Sequence, residues 1–248
     1  MVNNKIIHFC WFGMGKMPDE VSKTVNNWKK ILHDYEFMLW DESTFNVNMH
    51  PYTKEAYNHK KYAYVTDYVR LYVLKLYGGI YMDTDVDVIK SLDIFLENRA
   101  FTGCESDQMC VTGIMGAVPN HPWINDLISH YDNLHFENNG ELSLIPNTKF
   151  ITEVTIQKYG WKQENIYQEL QHGLVIYPFN VLCAKNWETG KIEISDDTYT
   201  IHNFSGSWLS KRQKSTKKVK SFIKNLLKKI VGENNYKKII NKKRKMDL

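Results

Sequence analysis

The feature of this sequence that most constrains its fold is a short apolar segment preceded by two glycines and followed by two aspartates. Residues 78–85 read GGIYMDTD, and the apolar part has the length and composition of a buried strand. Side chains two positions apart on an extended chain project to the same side, so Asp83 and Asp85 present their carboxylates together. Such a pair at the carboxyl end of a strand predicts a partial site for a hard divalent cation, which would share its remaining coordination positions with a diphosphate.

The helix that precedes this strand strengthens the interpretation, because a D-x-D triplet alone also occurs in ordinary polar turns. Asp67 and Arg70 lie three positions apart, and therefore on one face, of a helical region predicted over residues 53–77 with an interruption at 58–61. A buried carboxylate and guanidinium on that face would suit a sugar hydroxyl and a phosphate. The alternative is an intrahelical salt bridge, which stabilises an exposed helix only weakly.

The order of the predicted elements indicates an α/β domain. Residues 5–10 and 35–40 read as strands, and residues 19–33 between them carry apolar side chains at helical spacing. Further strands are predicted at 100–104, 111–118, 174–177 and 199–203, and further helices at 120–131 and 148–159. The β-α-β opening favours a largely parallel sheet, with residues 132–147 forming a polar insertion or loop.

The net charge of +4 is the sum of two opposite parts of the chain. Residues 1–208 carry 17 basic and 26 acidic side chains, a net charge of −9, whereas residues 209–248 carry 15 basic and 2 acidic ones, a net charge of +13. Between residues 219 and 231, apolar side chains recur at steps of three and one, as they do along one face of a helix. We therefore predict a folded domain over residues 1–208 and a basic amphipathic helical tail over residues 209–248.

A basic amphipathic helix is the expected form of an anchor on an anionic membrane surface. Packing of this helix on the domain is the first alternative, and binding to nucleic acid is disfavoured because few aromatic side chains alternate with the lysines. The chain shows no signal peptide and no apolar run of about 18 residues, and its four cysteines (Cys10, Cys104, Cys110 and Cys183) lack the spacing of a metal or redox motif. These features predict a cytoplasmic protein held peripherally at the inner face of the cell membrane.

Three segments carry a recognisable pattern: residues 6–13 (IIHFCWFG), residues 64–85, which end in GGIYMDTD, and residues 201–208 (IHNFSGSW). They resemble the opening motif, the central SDxxR and GGxYxDxD block and the terminal element of the glycosyltransferase family 32 enzymes. Thr66 stands in place of the serine that is usual in the central block. The bacterial members of the family that this sequence resembles are capsule or O-antigen polysaccharide enzymes. The clostridial glucosylating toxins share the same core more distantly. The resemblance implies a GT-A fold, in which a Rossmann-like mixed, mostly parallel sheet is flanked by helices.

The activity that the resemblance implies is a retaining glycosyl transfer. A hexose would pass from a nucleoside-diphosphate sugar, with a UDP-sugar favoured, to a lipid-linked saccharide acceptor in surface polysaccharide synthesis, and the cofactor would be Mn²⁺ or Mg²⁺. Asp83 and Asp85 match the metal-binding motif of the family, and His202 falls where related enzymes place a third metal ligand. Asp67 and Arg70 match residues that hold the donor sugar, and with the two aspartates they form the expected catalytic set.

The same resemblance implies further contacts with the donor. Trp11 matches an aromatic residue near the nucleobase, and Tyr81 lies where relatives contact the nucleotide. Ser207 and Trp208 match a closing loop that contacts the β-phosphate. His8 is assigned to the donor site beside Trp11, although its alternation with apolar neighbours on the first strand also fits a buried core histidine.

Two other classes of protein remain open at the level of sequence. Phosphatases of the haloacid-dehalogenase type also begin with an apolar strand and an Asp-x-Asp motif, and residues 85–88 (DVDV) fit that register loosely. That class requires a later lysine and a pair of acidic residues after another strand, for which Asp196 and Asp197 are poor candidates. The second alternative is a non-catalytic carbohydrate-binding module that docks on a membrane.

Overall fold

The computed structural model describes residues 4–110 and 113–206 of the chain. Its strands are β1 (Ile6–Cys10), β2 (Glu36–Trp40), β3 (Gly79–Met82), β4 (Val86–Val88), β5 (Ala100–Ser106), β6 (Met109–Cys110), β7 (Ile114–Ala117), β8 (Glu137–Asn138), β9 (Glu141–Leu142), β10 (Gln168–Glu169), β11 (Leu174–Tyr177) and β12 (Thr200–His202). Its helices are α1 (Asp19–Ile31), α2 (Pro51–Asn58), α3 (Tyr62–Tyr77), α4 (Pro122–Ser129), α5 (Asn147–Tyr159) and α6 (Phe179–Leu182), with short 3-10 helices at Asp93–Glu97 and Gln171–Gly173. The predicted tail over residues 209–248 lies outside the described residues, as do Ser207 and Trp208.

The main sheet has the strand order β10-β11-β5-β7-β3-β1-β2, with β6 paired to β5. Pairing is parallel between β1 and β2, between β1 and β3, and between β5 and β11, whereas β7 runs antiparallel to both of its neighbours. The carboxyl ends of β1, β2, β3, β5 and β11 therefore meet at one edge of the sheet. A second, antiparallel pair joins β4 to β12 and sets His202 opposite Val86.

This architecture confirms the expected mixed sheet flanked by helices. The predicted interruption of the helical region at 58–61 separates α2 from α3, and the predicted insertion at 132–147 contains the hairpin of β8 and β9. The direction of β7 was not predicted, because a four-residue apolar strand carries no sequence signal for its orientation. Within the described residues, no helix has the length and apolar content needed to cross a membrane.

The core lies on both faces of the sheet, because helices cover both sides. On β3, Ile80 and Met82 belong to the cluster that contains Trp28 of α1, whereas Tyr81 between them belongs to the cluster that contains Val69 of α3. All four residues of β3 are buried, which explains why this strand reads as a continuous apolar run rather than as an alternating one.

The two glycines ahead of β3 allow a helix to run directly into the central strand. Gly78 and Gly79 both have positive φ, at 66° and 89°. A Cβ added at Gly79 would lie 2.8 Å from the carbonyl oxygen of Ile6, and one added at Gly78 would lie 2.6 Å from Pro119. A side chain at either position would therefore collide with β1 or with the segment that follows β7, at the junction of α3 and β3, the two elements that carry the predicted site.

His8 is a core residue in this structure. Its ring is buried, its Nδ1 accepts a hydrogen bond from the indole N–H of Trp40 at 3.1 Å, and its Nε2 lies 2.9 Å from the carbonyl oxygen of Gly78. Because the indole can only donate, Nδ1 must be the acceptor and Nε2 carries the proton. Both nitrogens thus bind protein groups, which gives His8 a structural role, and its expected contact with the donor stays a prediction.

The burial of His8 makes the stability of the fold depend on pH. Burial lowers the pKa of His8 to about 4, below the ordinary value of 6.5, so the unfolded chain takes up this proton more readily than the folded one. The neutral His8 therefore makes its full contribution to the free energy of unfolding above about pH 6.5, and this contribution is lost as the pH falls from about 6.5 towards 4. We expect the free energy of unfolding in urea to fall between pH 7.5 and 4.5 in both proteins, but by roughly 2 kcal/mol less in His8→Gln than in the wild type.

The matched control is His33→Gln, since the side chain of His33 is 81% exposed. It should follow the pH dependence of the wild type. An equal decrease in the free energy of unfolding in the wild type and in His8→Gln would contradict the structural role assigned to His8.

Candidate active site and metal centre

The predicted site residues come from three elements that meet at the carboxyl edge of β3. Helix α3 supplies Asp67 and Arg70, and the turn after β3 supplies Asp83 and Asp85. That turn is closed by a hydrogen bond from the Val86 amide to the Asp83 carbonyl oxygen at 3.0 Å. Strand β12 brings His202 to the same place from far along the chain, because it pairs with β4 immediately after the turn.

Arg70 is the centre of a buried polar network. One of its terminal nitrogens lies 3.1 Å from Oδ1 of Asp67 and 3.3 Å from Oδ1 of Asp83. The guanidinium lies 4.7 Å from the ring centre of Tyr81, whose hydroxyl donates to Oδ1 of Asp83 at 2.6 Å. Burial disfavours the charged guanidinium, but the negative groups around it outweigh this effect, and the pKa of Arg70 is raised. The network therefore holds one permanent positive charge between two carboxyl groups.

Asp67 is fixed in position by a residue that the sequence did not reveal. Asn147, the first residue of α5, donates from its side-chain nitrogen to Oδ1 of Asp67 at 2.7 Å. Burial raises the pKa of Asp67 to about 7, although Arg70 acts in the opposite direction. Both contacts are to the same carboxylate oxygen, so they set the direction in which the second oxygen of Asp67 points.

Asp83, Asp85 and His202 form a set of groups that can hold a metal ion. Each offers one ligand atom, and the three atoms lie within 4.8 Å of one another. Nε2 of His202 is 3.4 Å from Oδ1 of Asp85, and the amide of Ser205 donates to Oδ2 of Asp85 at 2.7 Å. Burial opposes the charge on both groups, but their mutual attraction prevails, so the pKa of His202 is raised to about 10 and that of Asp85 is lowered to about 2.

The donor set fits a divalent cation. Two carboxylates and one imidazole are ligands that Mn²⁺ accepts, and Mg²⁺ accepts the two carboxylates. Gly113 packs flat against the imidazole of His202, and a Cβ added there would lie 2.9 Å from the ring. The backbone at this point therefore supports the ring where a side chain would displace it. These three are the residues that would hold the ion.

Trp11 lies apart from this network, in a cleft at the same edge of the sheet. It follows β1 directly, and its indole N–H donates to the carbonyl oxygen of Gly15 at 2.8 Å. The cleft has a volume of about 420 Å³ and is lined by Trp11, Met14, Gly15, Asp41, Glu42 and Ser43. The cleft lies where β1 and β2 end, and β1 is paired with β3 on its other side, so the cleft is next to the strand whose following turn carries Asp83.

Most of the residues expected at the site therefore lie close together, and Trp11 lies apart from them. Asp67, Arg70, Tyr81 and Asp83 form one network, Asp85 and His202 lie beside it, and Trp11 lines the neighbouring cleft. Asp87, two positions beyond Asp85, instead accepts a hydrogen bond from the side chain of Asn203 at 2.7 Å and so supports the pairing of β4 with β12.

Comparison with known proteins supports a glycosyltransferase. Residues 18–102 match the family described as "Glycosyltransferase sugar-binding region containing DXD motif". The chain is similar to an uncharacterised glycosyltransferase of Acanthamoeba polyphaga mimivirus, with 29% identity over 82% of each chain. It is also similar to inositol phosphoceramide mannosyltransferase 3 of Schizosaccharomyces pombe, with 29% identity over 53% of this chain and 38% of that one.

Among solved structures, the chain is similar to PaToxG glycosyltransferase, with a TM-score of 0.48 and 18% identity over 62% of this chain and 68% of that one. The chain thus spans most of the viral relative but well under half of the yeast enzyme. The family match begins before α1 and ends in β5, so it includes every site residue on α3 and in the turn after β3 but not His202.

The proposed metal ligands can be tested without any assumption about the reaction. Titration of Mn²⁺ into the wild-type protein should reveal one site, and Asp85→Asn and His202→Ala should each weaken it by roughly tenfold or more, because each removes a ligand. The control is Asp87→Asn, which lies on the same segment but faces Asn203. Isothermal calorimetry is the measurement, and unchanged Mn²⁺ affinity in Asp85→Asn would contradict the assignment.

Proposed function

We propose that this chain is a retaining GT-A glycosyltransferase that moves a hexose from a nucleoside-diphosphate sugar to a saccharide acceptor. The observation that carries the proposal is the buried contact of Arg70 with both Asp67 and Asp83, directly beside the group of Asp83, Asp85 and His202. A fixed positive charge next to a cation site suits a reaction in which a diphosphate leaves with growing negative charge. The family match and the glycosyltransferase relatives support the same reaction class.

The residues have separate tasks in this proposal. Asp83, Asp85 and His202 would hold Mn²⁺ or Mg²⁺, which when bound neutralises the charge that develops on the leaving diphosphate. Asp67 accepts a hydroxyl hydrogen bond from the donor sugar at the oxygen that Asn147 leaves free. Arg70 keeps Asp67 and Asp83 in place, and its guanidinium adds positive potential at the diphosphate.

Retention of configuration is proposed to follow from attack of the acceptor hydroxyl oxygen on the anomeric carbon, on the face from which the diphosphate leaves. The new glycosidic bond forms as the bond to the diphosphate breaks, and the hydroxyl proton passes to the departing phosphate oxygen. A double displacement would need a carboxylate free to attack the sugar. Asp67 and Asp83 each bind Arg70, and each also accepts a hydrogen bond from a neutral side chain, Asn147 or Tyr81. Carboxylates held in this way suit binding and positioning better than nucleophilic attack.

The donor and acceptor are proposed at the level of chemical class. A UDP-hexose remains the first candidate donor, and a mannosyl donor such as GDP-mannose is the second because several relatives are named mannosyltransferases. Relatives are also named mannosyl phosphorylinositol ceramide synthases, which supports a lipid-linked acceptor. We place the reaction in surface polysaccharide synthesis, in accord with the family that residues 64–85 resemble.

Turnover of the donor tests the proposed reaction directly. In the presence of Mn²⁺, the wild-type protein should slowly hydrolyse one member of a panel of UDP-sugars and GDP-sugars. When a saccharide acceptor is added, transfer of the sugar to it should be faster than this hydrolysis. Asp85→Asn should lose at least about 100-fold in rate with its fold intact by circular dichroism, because it lacks a ligand for the ion that stabilises the leaving group.

Asp87→Asn is again the matched control and should retain most of the activity. Full activity of Asp85→Asn would refute the metal assignment. Release of phosphate from a simple phosphomonoester, with no turnover of any nucleotide-sugar, would instead support the phosphatase alternative and refute the transferase.

The basic tail is proposed to hold the domain at the inner face of the membrane, where a lipid-linked acceptor would be extended. The proposal comes from the sequence of residues 209–248, whose net charge is +13. Deletion of residues 212–248 should abolish sedimentation with anionic liposomes and leave activity on a short soluble acceptor unchanged. Sedimentation of the deletion variant equal to that of the full chain would contradict the proposed anchor, and liposomes of neutral lipid serve as the control.

A further inference from the structure

The loop that follows β1 is held by a single carboxylate oxygen. Glu42, two positions beyond the end of β2, accepts at Oε1 from the backbone N–H of Gly13 at 2.5 Å and from that of Met14 at 3.2 Å. The same oxygen accepts from the hydroxyl of Tyr57, on α2, at 2.8 Å. One atom therefore joins the end of β2, helix α2 and residues 11–15, which we call the Trp11 loop.

The Trp11 loop has a backbone conformation that needs such support. Gly13 has a φ of 110° and Met14 a φ of 57°, so two successive residues lie on the left-handed side of conformational space. A non-glycine residue persists there where its surroundings over-determine the backbone, and the two N–H groups that converge on Glu42 do this. A Cβ added at Gly13 would lie 2.6 Å from the ring of Tyr62, so the loop also rests directly on the first residue of α3.

Glu42 connects the two walls of the cleft at the edge of the sheet. Trp11, Met14 and Gly15 form one wall, and residues 41–43 form the other. The indole of Trp11 is bound within its own loop through Gly15, so the ring moves with the loop. The hydrogen bonds to Glu42 therefore set the distance between the indole and the opposite wall.

The geometry points to Glu42 as the positioning residue of the nucleoside cleft: it holds the Trp11 loop at the separation at which a nucleobase lies against the indole. This inference rests on the proposed function and on the match of Trp11 to the aromatic residue that lies near the nucleobase in the family, which together assign the cleft to the nucleoside half of the donor. Glu42 acts through the loop, whereas Asp67, Arg70 and Asp83 act at the sugar and the diphosphate.

The charge of Glu42 gives the inference a conservative test. Partial burial opposes ionisation, but the hydrogen bonds from Gly13, Tyr57 and Met14 hold the pKa of the Glu42 carboxyl below its usual value. A charged acceptor makes stronger hydrogen bonds than a neutral one of the same shape. Glu42→Gln therefore keeps the volume and one acceptor oxygen but weakens the attachment, and Tyr57→Phe removes one of the three donors.

The first arm of the experiment measures the loop itself. In amide hydrogen exchange on the full chain, the N–H groups of Gly13 and Met14 should exchange at least about tenfold faster in Glu42→Gln than in the wild type, because a weaker acceptor leaves them open more often. Glu36→Gln, an exposed position on β2, is the matched control and should leave these rates unchanged.

The second arm measures the affinity of the protein for UDP and for GDP in the presence of Mn²⁺. Calorimetry should show roughly five- to tenfold weaker binding of the preferred nucleotide to Glu42→Gln and a smaller loss for Tyr57→Phe. With the nucleotide-sugar as substrate, KM should rise by a similar factor while kcat changes less than about twofold, since the groups at the sugar are untouched. A general loss of stability would lower the active fraction, and hence kcat, instead.

The outcomes separate this inference from the proposed function. Faster exchange together with a rise in KM supports the positioning role. Normal nucleotide binding and turnover in Glu42→Gln would overturn the role of Glu42 and leave the transferase standing. A wild-type protein that neither binds UDP or GDP nor turns over any nucleotide-sugar would overturn both.

Discussion

The structure depends on one buried guanidinium. Arg70 is only 4% exposed, and it is stable there because Asp67, Asp83 and the ring of Tyr81 surround it. Loss of one partner from such a buried ionic group leaves an uncompensated charge and costs about 3–5 kcal/mol. The network therefore ties α3 to the end of β3, and the same contacts give the proposed donor site its positive potential.

The backbone between these two elements is built for this contact. The glycines at 78 and 79 allow α3 to turn straight into β3, so that Asp67 and Arg70 lie beside Asp83 although the remainder of α3 and the whole of β3 separate them from it in sequence. Helix α1 fixes the next segment, because the indole of Trp28 donates to the carbonyl oxygen of Val86 at 2.7 Å. Strand β12 then pairs with β4 and delivers His202 to Asp85. Two ligands of the candidate metal centre thus lie in a short turn between β3 and β4, and the third lies on β12.

Local spacing in the sequence was sufficient to predict part of this arrangement. The strand at β3 and the shared face of Asp67 and Arg70 depend on residues within about two turns or one strand of one another. The proximity of Asp83 and Asp85 was expected from an extended backbone, whereas β3 ends at Met82 and a turn brings the two aspartates into one group. The position of His202 was expected from a family resemblance rather than from spacing. His8 illustrates the limit, since its alternation fits a core position and a ligand equally well, and its contacts with Trp40 and Gly78 come from residues far away in the sequence.

The groups that sequence reasoning missed are joined by long-range contacts. Asn147 lies 80 residues from Asp67, Ser205 lies 120 residues from Asp85, and Glu42 lies 29 residues from Gly13. Each is a common polar residue in a loop or at the end of a helix or strand, and no local pattern distinguishes it from a solvated neighbour. Their partners are set by the order of strands in the sheet, including the antiparallel β7, which the short apolar run at 114–117 does not encode by itself.

The most direct test of the account is an anomalous-scattering measurement at the manganese edge on crystals grown with Mn²⁺ and a nucleoside diphosphate. The account predicts one strong peak among Asp83, Asp85 and His202, with the diphosphate on the ion and close to Arg70, and with the base against Trp11. A peak at another group of residues, or a nucleotide bound away from β3, would contradict it.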